Sequence, residues 1–497
     1  MEHSMRKFNW GRARPAGSQY HTQESWAISQ RRRRLIVGGF SVLASISGLA
    51  AGSVGIVAAQ THAGSATLNG TITAEFDAGL TFDSNALGVS WWNKVASEFH
   101  KKYPHAALKL VNISGNLAAY TTKLALQFRT PASAPDVIQI NSQYLGEFAA
   151  GGDLLSLNRY VSRGQIPGWT SYPANVKADD TFNGTVFGID EGENIGALIF
   201  NKSMLQKAGV KLPWKPTTWS EVISAAGAVK AHDPGVYPLG IAAGTATAAG
   251  GIAQGTGHLI YGSSTPTIYD AAKHRWVVSS PGLSQVMSFY RAVFGDGLGV
   301  PVSYLFESNA IGELPTLMSE GKLAIAVGEN WYPGAFALKG SGETWPAAQK
   351  VVGAAPIPTR AGQAPGIASA LQAWAVAVSK ASKQSALDLG LIKIMQSNAN
   401  IVSLANTAGF VPPEPGLARS PTFVHLAPLQ SVIAGYLSAA KPLPSYEPGY
   451  AAWVDGIEQA TAKLASDPKG TTVAAALSLV KSTTAAQLGG SKVEVLP

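Results

Sequence analysis

Residues 182–221 read FNGTVFGIDEGENIGALIFNKSMLQKAGVKLPWKPTTWSE. The stretch is predicted to form a strand, an acidic loop, a second buried strand and a short helix that starts at Asn201 and stops at Gly209. A Pro/Thr/Trp segment then opens another helix, with Glu221 three residues after Thr218 in a capping-box spacing. Carboxylates and an amide held between two apolar strands are acceptors for a polar solute, and Asp190, Glu191, Glu193 and Asn194 are candidate ligand-binding residues on that ground.

Working outward, the same alternation recurs. Residues 68–76 (LNGTITAEF) form a first strand, followed by a loop over 77–90. Helical spacing of Trp92, Val95, Ala96 and Phe99 predicts a helix over 91–103 that Pro104 ends. A strand at 107–113, a helix at 117–128, a short apolar strand at 136–140 (DVIQI) and a helix from Asn141 complete a strand–helix series. That series implies an α/β fold with a mainly parallel sheet, in which ligands sit beyond the carboxyl ends of the strands. Asp77 and Asp83 after the first strand, and Asn141 and Gln143 after the third, occupy such ends, although Asn141 also suits a helix cap and the aspartates suit Asx turns. Later strands are read at 323–327 (LAIAV), 351–357 and 373–378, and residues 240–257 are rich in Gly and Ala.

The 497 residues exceed one ordinary core and predict two lobes or more. The formal charge of +8 is concentrated in the first 60 residues, where eight basic side chains face only Glu2 and Glu24, so the body is nearly neutral and gives no electrostatic footprint for nucleic acid. There is no cysteine, which excludes disulfides, thiolate chemistry, cysteine-ligated zinc and a lipidated cysteine anchor. Residues 1–34 are a basic tail ending in Arg31–Arg34. Residues 35–59 carry no charge and read as a signal peptide or a retained membrane anchor, with small residues before Gln60 suited to cleavage and an arginine pattern that permits twin-arginine export. Residues 60–67 read as a linker. The body is expected outside the cytoplasm.

Taken in order, WNKVASEFHKKYP (92–104), LGEFAAGGDLLSL (145–157), VFGIDEGENIGALIFNKSMLQKAG (186–209), PTTWSE (216–221), GKLAIAVGENW (321–331), GAAPIP (353–358) and the segment from Trp374 to Lys380 resemble the extracellular solute-binding proteins of bacterial ABC importers, in the sugar-binding branch that includes maltose- and multiple-sugar-binding proteins. The resemblance spans about 400 residues. It implies two α/β lobes, 68–190 with 354–397 and 191–353 with 398–497, joined by crossovers near 188–193, 353–356 and 396–400 and closing over a ligand like a hinged pair.

It further implies a sugar delivered to a membrane permease that a cytoplasmic ATPase drives, and the several candidate aromatic residues favour a di- or oligosaccharide over a monosaccharide. The chain itself would be a monomer with no cofactor and no metal. Glu329, Asn330 and Trp331 follow a buried strand where the family places an aromatic ring on the ligand. Ser369 and Gln372 precede the 373–378 strand near a crossover. Trp92 is expected to face the cleft beside a packed Trp91, and Trp453, with Tyr446 and Tyr450, to stand at its rim.

Two other functions compete. A secreted glycoside hydrolase would need two carboxylates across a scissile bond, whereas Asp190, Glu191 and Glu193 crowd one segment. Binding of another solute, such as a polyamine, would also suit the acidic segment. G-x-S-x-G, P-loop and H-E-x-x-H motifs are absent, and the nine histidines show no ligand spacing.

Overall fold

Residues Gly188–Asn201 form one unbroken strand of 14 residues, and every one of them is buried. The acidic loop expected at 190–194 is therefore corrected: the carboxylates lie within a strand covered on both faces. The strand is able to pass so close to its neighbours because glycine recurs in it. A Cβ on Gly192 would lie 2.3 Å from the Phe410 ring, and one on Gly196 2.6 Å from the His258 ring. The computed structural model describes residues 68–497 apart from 83, 116, 248, 308 and 338–343. Asp83, the basic tail, the apolar segment 35–59 and the linker lie outside the described residues.

Nine strands make the main sheet: β1 (Gly70–Phe76), β2 (Ala106–Asn112), β3 (Val137–Asn141), β4 (Gly188–Asn201), β5 (Tyr237–Gly240), β6 (Leu323–Glu329), β7 (Val352–Ala355), β8 (Ser369–Val378) and β9 (Ala440–Pro442). Their order is β2-β1-β3-β8-β4-β6-β5, with β7 also paired to β4 and β9 to β8. One wing, β2-β1-β3, is parallel. The β6-β5 pair is parallel too. The centre is antiparallel, because β8 and β4 run against each other and against their outer neighbours. The sheet is thus mixed, with parallel wings.

β4 and β8 are the strands that the two wings share. β4 lies against β8 from Gly188 to Ile195 and against β6 from Gly196 to Phe200. The register shifts between Trp374 and Ala375, where Gly192 and Asp190 are the partners and Glu191 is the extra residue. Such a bulge re-aims a side chain and increases local twist, so the sheet bends at an acidic residue. β8 also begins earlier than expected, which places Ser369 and Gln372 inside it.

The helices start where short polar side chains cap them. Ser84 accepts from the Leu87 amide and opens the helix Asn85–Lys102, which begins within the segment expected as a loop. Asn201 accepts from Ser203 and Met204 to open Lys202–Lys207. Thr218 opens Trp219–His232. The reciprocal arm differs by one residue, since the Glu221 carboxylate accepts from the Thr217 amide at 2.6 Å. Each cap contributes about 1 kcal/mol.

Two tryptophans expected at the cleft belong to the core. Trp92 is fully buried and stacks on Phe76 with ring centroids 4.5 Å apart. Trp453 is likewise buried, stacks on Trp276 at 5.8 Å and donates from Nε1 to the Val277 carbonyl at 2.9 Å. Both helix faces repeat at helical spacing, and large aromatic rings gain most from complete burial. Among the described residues, no helix is long and apolar enough to cross a membrane.

Trp92→Ala is expected to lower unfolding stability by roughly 3–5 kcal/mol, read as a reduced urea midpoint with an unchanged slope. A midpoint within experimental error of the parent would contradict the packing described.

Candidate functional site

The carboxyl ends of β1 and β3 bring the first polar group together. Asp77 follows β1 directly; its Oδ1 accepts from the Leu80 amide at 3.0 Å in an Asx turn, while its buried Oδ2 has no partner. Burial raises the Asp77 carboxyl above its ordinary range, with backbone donors opposing. Beside it, the Thr81 hydroxyl donates to Gln139 Oε1 at 3.2 Å, and Gln139 Nε2 donates to Glu191 Oε2 at 2.8 Å. The bulge therefore turns Glu191 toward the first wing. Its Oε1 is buried and unpartnered, and burial pushes its carboxyl up to about 8 against the pull of Gln139.

A second group runs across the shared strands. Asn141 caps the helix Ser142–Gly151 by accepting from the Gln143 amide at 3.1 Å, so its side chain is committed to the backbone. Gln143 Nε2 donates to Gln372 Oε1 at 2.9 Å, and Gln372 Nε2 donates in turn to both Glu329 oxygens at 3.2 Å. This relay starts on a helix of the first wing, passes through β8 and ends on β6 of the other wing. Burial drives Glu329 to about 8, with Gln372 and Trp331 opposing as donors. Trp331 is half-buried and donates from Nε1 to Gln254 Oε1 at 3.2 Å. Gln254 sits in a single π-helical turn, Ile252–Thr256, within the Gly/Ala-rich segment. Such turns widen the helix and commonly mark functional positions.

The remaining acidic-strand residues act as fasteners. Asn330 Oδ1 accepts from the Ile195 amide at 2.7 Å, and its Nδ2 donates to the carbonyls of Glu193 at 3.0 Å and Gly409 at 2.8 Å and lies 3.5 Å from Asn194 Oδ1. Ser369 Oγ accepts from the Gly196 amide at 2.8 Å. Both side chains bond to backbone groups of the shared strand. Asp180 Oδ2 accepts from the Asp190 amide at 2.9 Å, and the Tyr172 hydroxyl bridges the Asp190 carbonyl and Gln396 Oε1. Asp179, Asp180, Asp190 and Glu193 crowd together, so burial first and mutual repulsion second hold Asp190 and Glu193 well above the ordinary carboxylate range. Residues 190–194 thus separate: Glu191 joins the first wing, Asp190 and Glu193 join Asp180, and Asn194 meets Asn330.

Several members of the site were not singled out from sequence. Gln139 is the one polar residue inside the apolar run DVIQI, and that break was its signal. The Asp179-Asp180 pair stood in an unremarkable polar segment, and Gln254 was masked by its Gly/Ala surroundings. His258 is fully buried; its Nδ1 accepts from the Ala370 amide at 2.8 Å, and burial lowers it to about 3.

With this geometry in hand, known proteins give the class. Residues 84–401 match the family described as bacterial extracellular solute-binding protein. The chain belongs to that family. Its fold is shared with solved structures at low identity. The maltose-bound MalE3 of T. maritima is 18% identical, with a TM-score of 0.68 over 84% of this chain and 100% of that one. The GacH receptor of Streptomyces glaucescens, solved free and with acarbose, is 17% identical with a TM-score of 0.67 over 86% and 100%. UgpB from Mycobacterium tuberculosis, in complex with glycerophosphocholine, is 17% identical with a TM-score of 0.65 over 84% and 98%. These are two-lobe binding-protein folds, and this chain has the same architecture.

Two outcomes follow from the buried polar groups. Carboxyls whose folded pKa is raised from 4.5 to about 8, as at Glu191 and Glu329, bind more protons folded than unfolded. Stability of the ligand-free protein is therefore expected to fall as pH rises through 4.5 to about 8, by up to about 1.4 kcal/mol per pH unit for each such group, and Glu329→Gln should flatten the slope of melting temperature against pH. A melting temperature that rises over this interval would refute the assignment. Asn330→Ala removes donors and acceptors from three backbone groups and should destabilise by roughly 2–4 kcal/mol in chemical denaturation, against about 1 kcal/mol for an exposed amide.

Proposed function

We propose that this chain is the extracytoplasmic binding component of an ABC importer and that it holds a sugar between its lobes. The supporting observation is the Gln143–Gln372–Glu329 relay, which ends beside the half-buried Trp331. Sugar hydroxyls need amide and carboxyl partners, and the C–H faces of the ring need a flat aromatic surface. Gln143, Gln372, Glu329 and Gln254 supply the first, and Trp331 the second. Asp77 and Glu191, each with an unpartnered buried oxygen at the ends of the parallel wing, extend the acceptor surface.

The lobes in this proposal are 68–190 with 354–397 and 191–353 with 398–497. β4 and β8 pass between them, so rotation would concentrate at the Glu191 bulge and the facing Trp374/Ala375 step. A ligand drives closure only through its greater affinity for the closed form. The closed protein would dock on the permease, and opening there would release the sugar. No bond is made or broken in this reading, and the monomer acts without a cofactor. Residues 1–59 would direct export and, if retained, would tether the body to the membrane.

Screening the purified body against mono-, di- and oligosaccharides, polyamines and amino acids by thermal shift tests the proposal. A sugar at 100 times its Kd should stabilise the fold by about 2.7 kcal/mol. Trp331→Ala and Gln372→Ala should each weaken that sugar at least about tenfold, equivalent to about 1.4 kcal/mol. A response confined to amino acids or polyamines would overturn the sugar assignment.

A further inference from the structure

The parallel wing has two ends of opposite character. Asp77 and Asn141 stand at the carboxyl ends of β1 and β3, with the acceptors described above. The amino ends collect basic side chains instead. Lys101 and Lys102 finish the helix Asn85–Lys102, and the chain then turns into β2, whose Ala106 lies beside Gly70 of β1. Lys109 follows on β2, opposite Thr73. Arg129 follows the helix Leu117–Phe128, which leads into β3. β8 runs antiparallel to β3 and ends at Val378 opposite Val137, so Lys380 and Lys383 emerge at the same end. Direct contacts join these segments. Asp136 Oδ2 accepts from the Thr73 amide at 2.8 Å, and the Ser379 amide donates to the Asp136 carbonyl at 2.8 Å. A Cβ on Gly70 would lie 2.6 Å from Nε2 of Gln384, the neighbour of Lys383. The four strands concerned, β2-β1-β3-β8, are adjacent and span only about 15 Å at the usual spacing.

All six basic residues are exposed, and none is in an ion pair among the described residues. Lys102 lies 5.8 Å from the Tyr103 ring, a contact that leaves its charge uncancelled. The acids of this end are withdrawn. Asp136 is committed to the Thr73 amide. Asp388 is 1% exposed and accepts from the Ser382 hydroxyl at 2.7 Å, and burial pushes its carboxyl up to about 7. Asp153 is half-buried, and burial raises its carboxyl as well. Favourable interaction with the carbonyls of a helix C-terminus accounts for Lys101 and Lys102. It does not account for Lys109, Lys380 and Lys383, which lie outside helices. Lys383 even precedes the amino end of the helix Ser385–Met395, where a cation is disfavoured. In a nearly neutral body this is a local excess of positive charge with no internal partner.

The chain also enters the body at this end. β1 opens at Gly70, and residues 60–67 alone separate Leu68 from the uncharged run 35–59. A linker of that length reaches at most about 28 Å. The run itself is long enough to span a bilayer. We propose that the basic amino end of the parallel wing, formed by Lys101, Lys102, Lys109, Arg129, Lys380 and Lys383, is a docking surface for a bilayer that carries anionic phospholipid. The negative potential of such a surface attracts Lys and Arg and decays within a Debye length, so it rewards cations gathered at one end of a molecule. β1 carries the chain about 23 Å from this end to Asp77. The docked body therefore presents the polar groups at the carboxyl ends of its strands away from the lipid. The inference stands apart from the sugar reading, since it needs neither the identity of the solute nor closure of the lobes.

The test is lysine acetylation of the full chain reconstituted with vesicles, read peptide by peptide by mass spectrometry. Vesicles of phosphatidylcholine alone are compared with vesicles holding about 30% phosphatidylglycerol, so that only headgroup charge differs. Lys101, Lys102, Lys109, Lys380 and Lys383 are expected to react at least about fivefold more slowly on the anionic vesicles. The exposed Lys207, Lys469 and Lys481 should keep their rates. Salt at about 0.5 M should abolish the protection. Lys101→Glu, Lys109→Glu and Lys383→Glu combined should restore acetylation of Lys102 and Lys380 without lowering the melting temperature. Equal rates for both sets of lysines on anionic vesicles would overturn the inference, as would equal protection on phosphatidylcholine alone. Protection that appears without vesicles and grows with protein concentration would mark a contact between copies of the chain and would overturn it too. A thermal-shift response to sugars is independent of each of these results, so the two readings fail separately. The lysine comparison uses the unaltered chain and stands even if the variant fails to fold.

Discussion

Fourteen buried residues in one strand, three of them carboxylic acids, constrain everything around them. A carboxylate taken out of water must be neutralised, hydrogen-bonded or charge-paired. Here Glu191 takes a donor from Gln139, Asp190 and Glu193 share their surroundings with Asp180, and the strand backbone is pinned by Asn330, Ser369 and the Glu193–Val411 bridge. A strand fixed at so many points holds the two wings in one sheet. The wings on either side are ordinary α/β packing; the acids and amides between them set where the sheet bends.

The bulge at Glu191 connects that constraint to binding. One extra residue on β4 sends Glu191 to the parallel wing, and the relay through Gln372 leads from the first-wing helix to Glu329 and so to Trp331. Acceptors thus accumulate at the sheet centre, next to one half-buried indole. Gln143, Gln372 and Gln254 can donate and accept, whereas burial raises the Glu191 and Glu329 carboxyls to about 8.

Much of the architecture was legible in the chain. The periodicities at 91–103 and 117–128, the apolar runs at 136–140 and 323–327, and the caps at Asn201 and Thr218 were visible because each is decided by neighbours within a few residues. The acidic segment was misread as a loop because its composition is that of a solvated turn; only strands β6 and β8, more than 100 residues away, supply the cover that makes it a strand. Trp92 and Trp453 were assigned to the cleft for a related reason. An amphipathic helix shows which face is apolar, and not whether a given ring meets solvent, ligand or a distant Phe76 or Trp276.

By itself, then, the sequence determined the class of fold, the absence of thiol chemistry, the order of the elements and the ordered set of segments that marks the family. Tertiary structure alone decided which polar side chains serve the backbone and which keep an oxygen free, since Asn141, Asn330 and Ser369 are spent on amides and carbonyls while Glu191 and Asp77 each keep one buried oxygen unpartnered. Local propensity is written in adjacent residues. Hydrogen-bond capacity is allotted only when remote strands and helices close around it and exclude water.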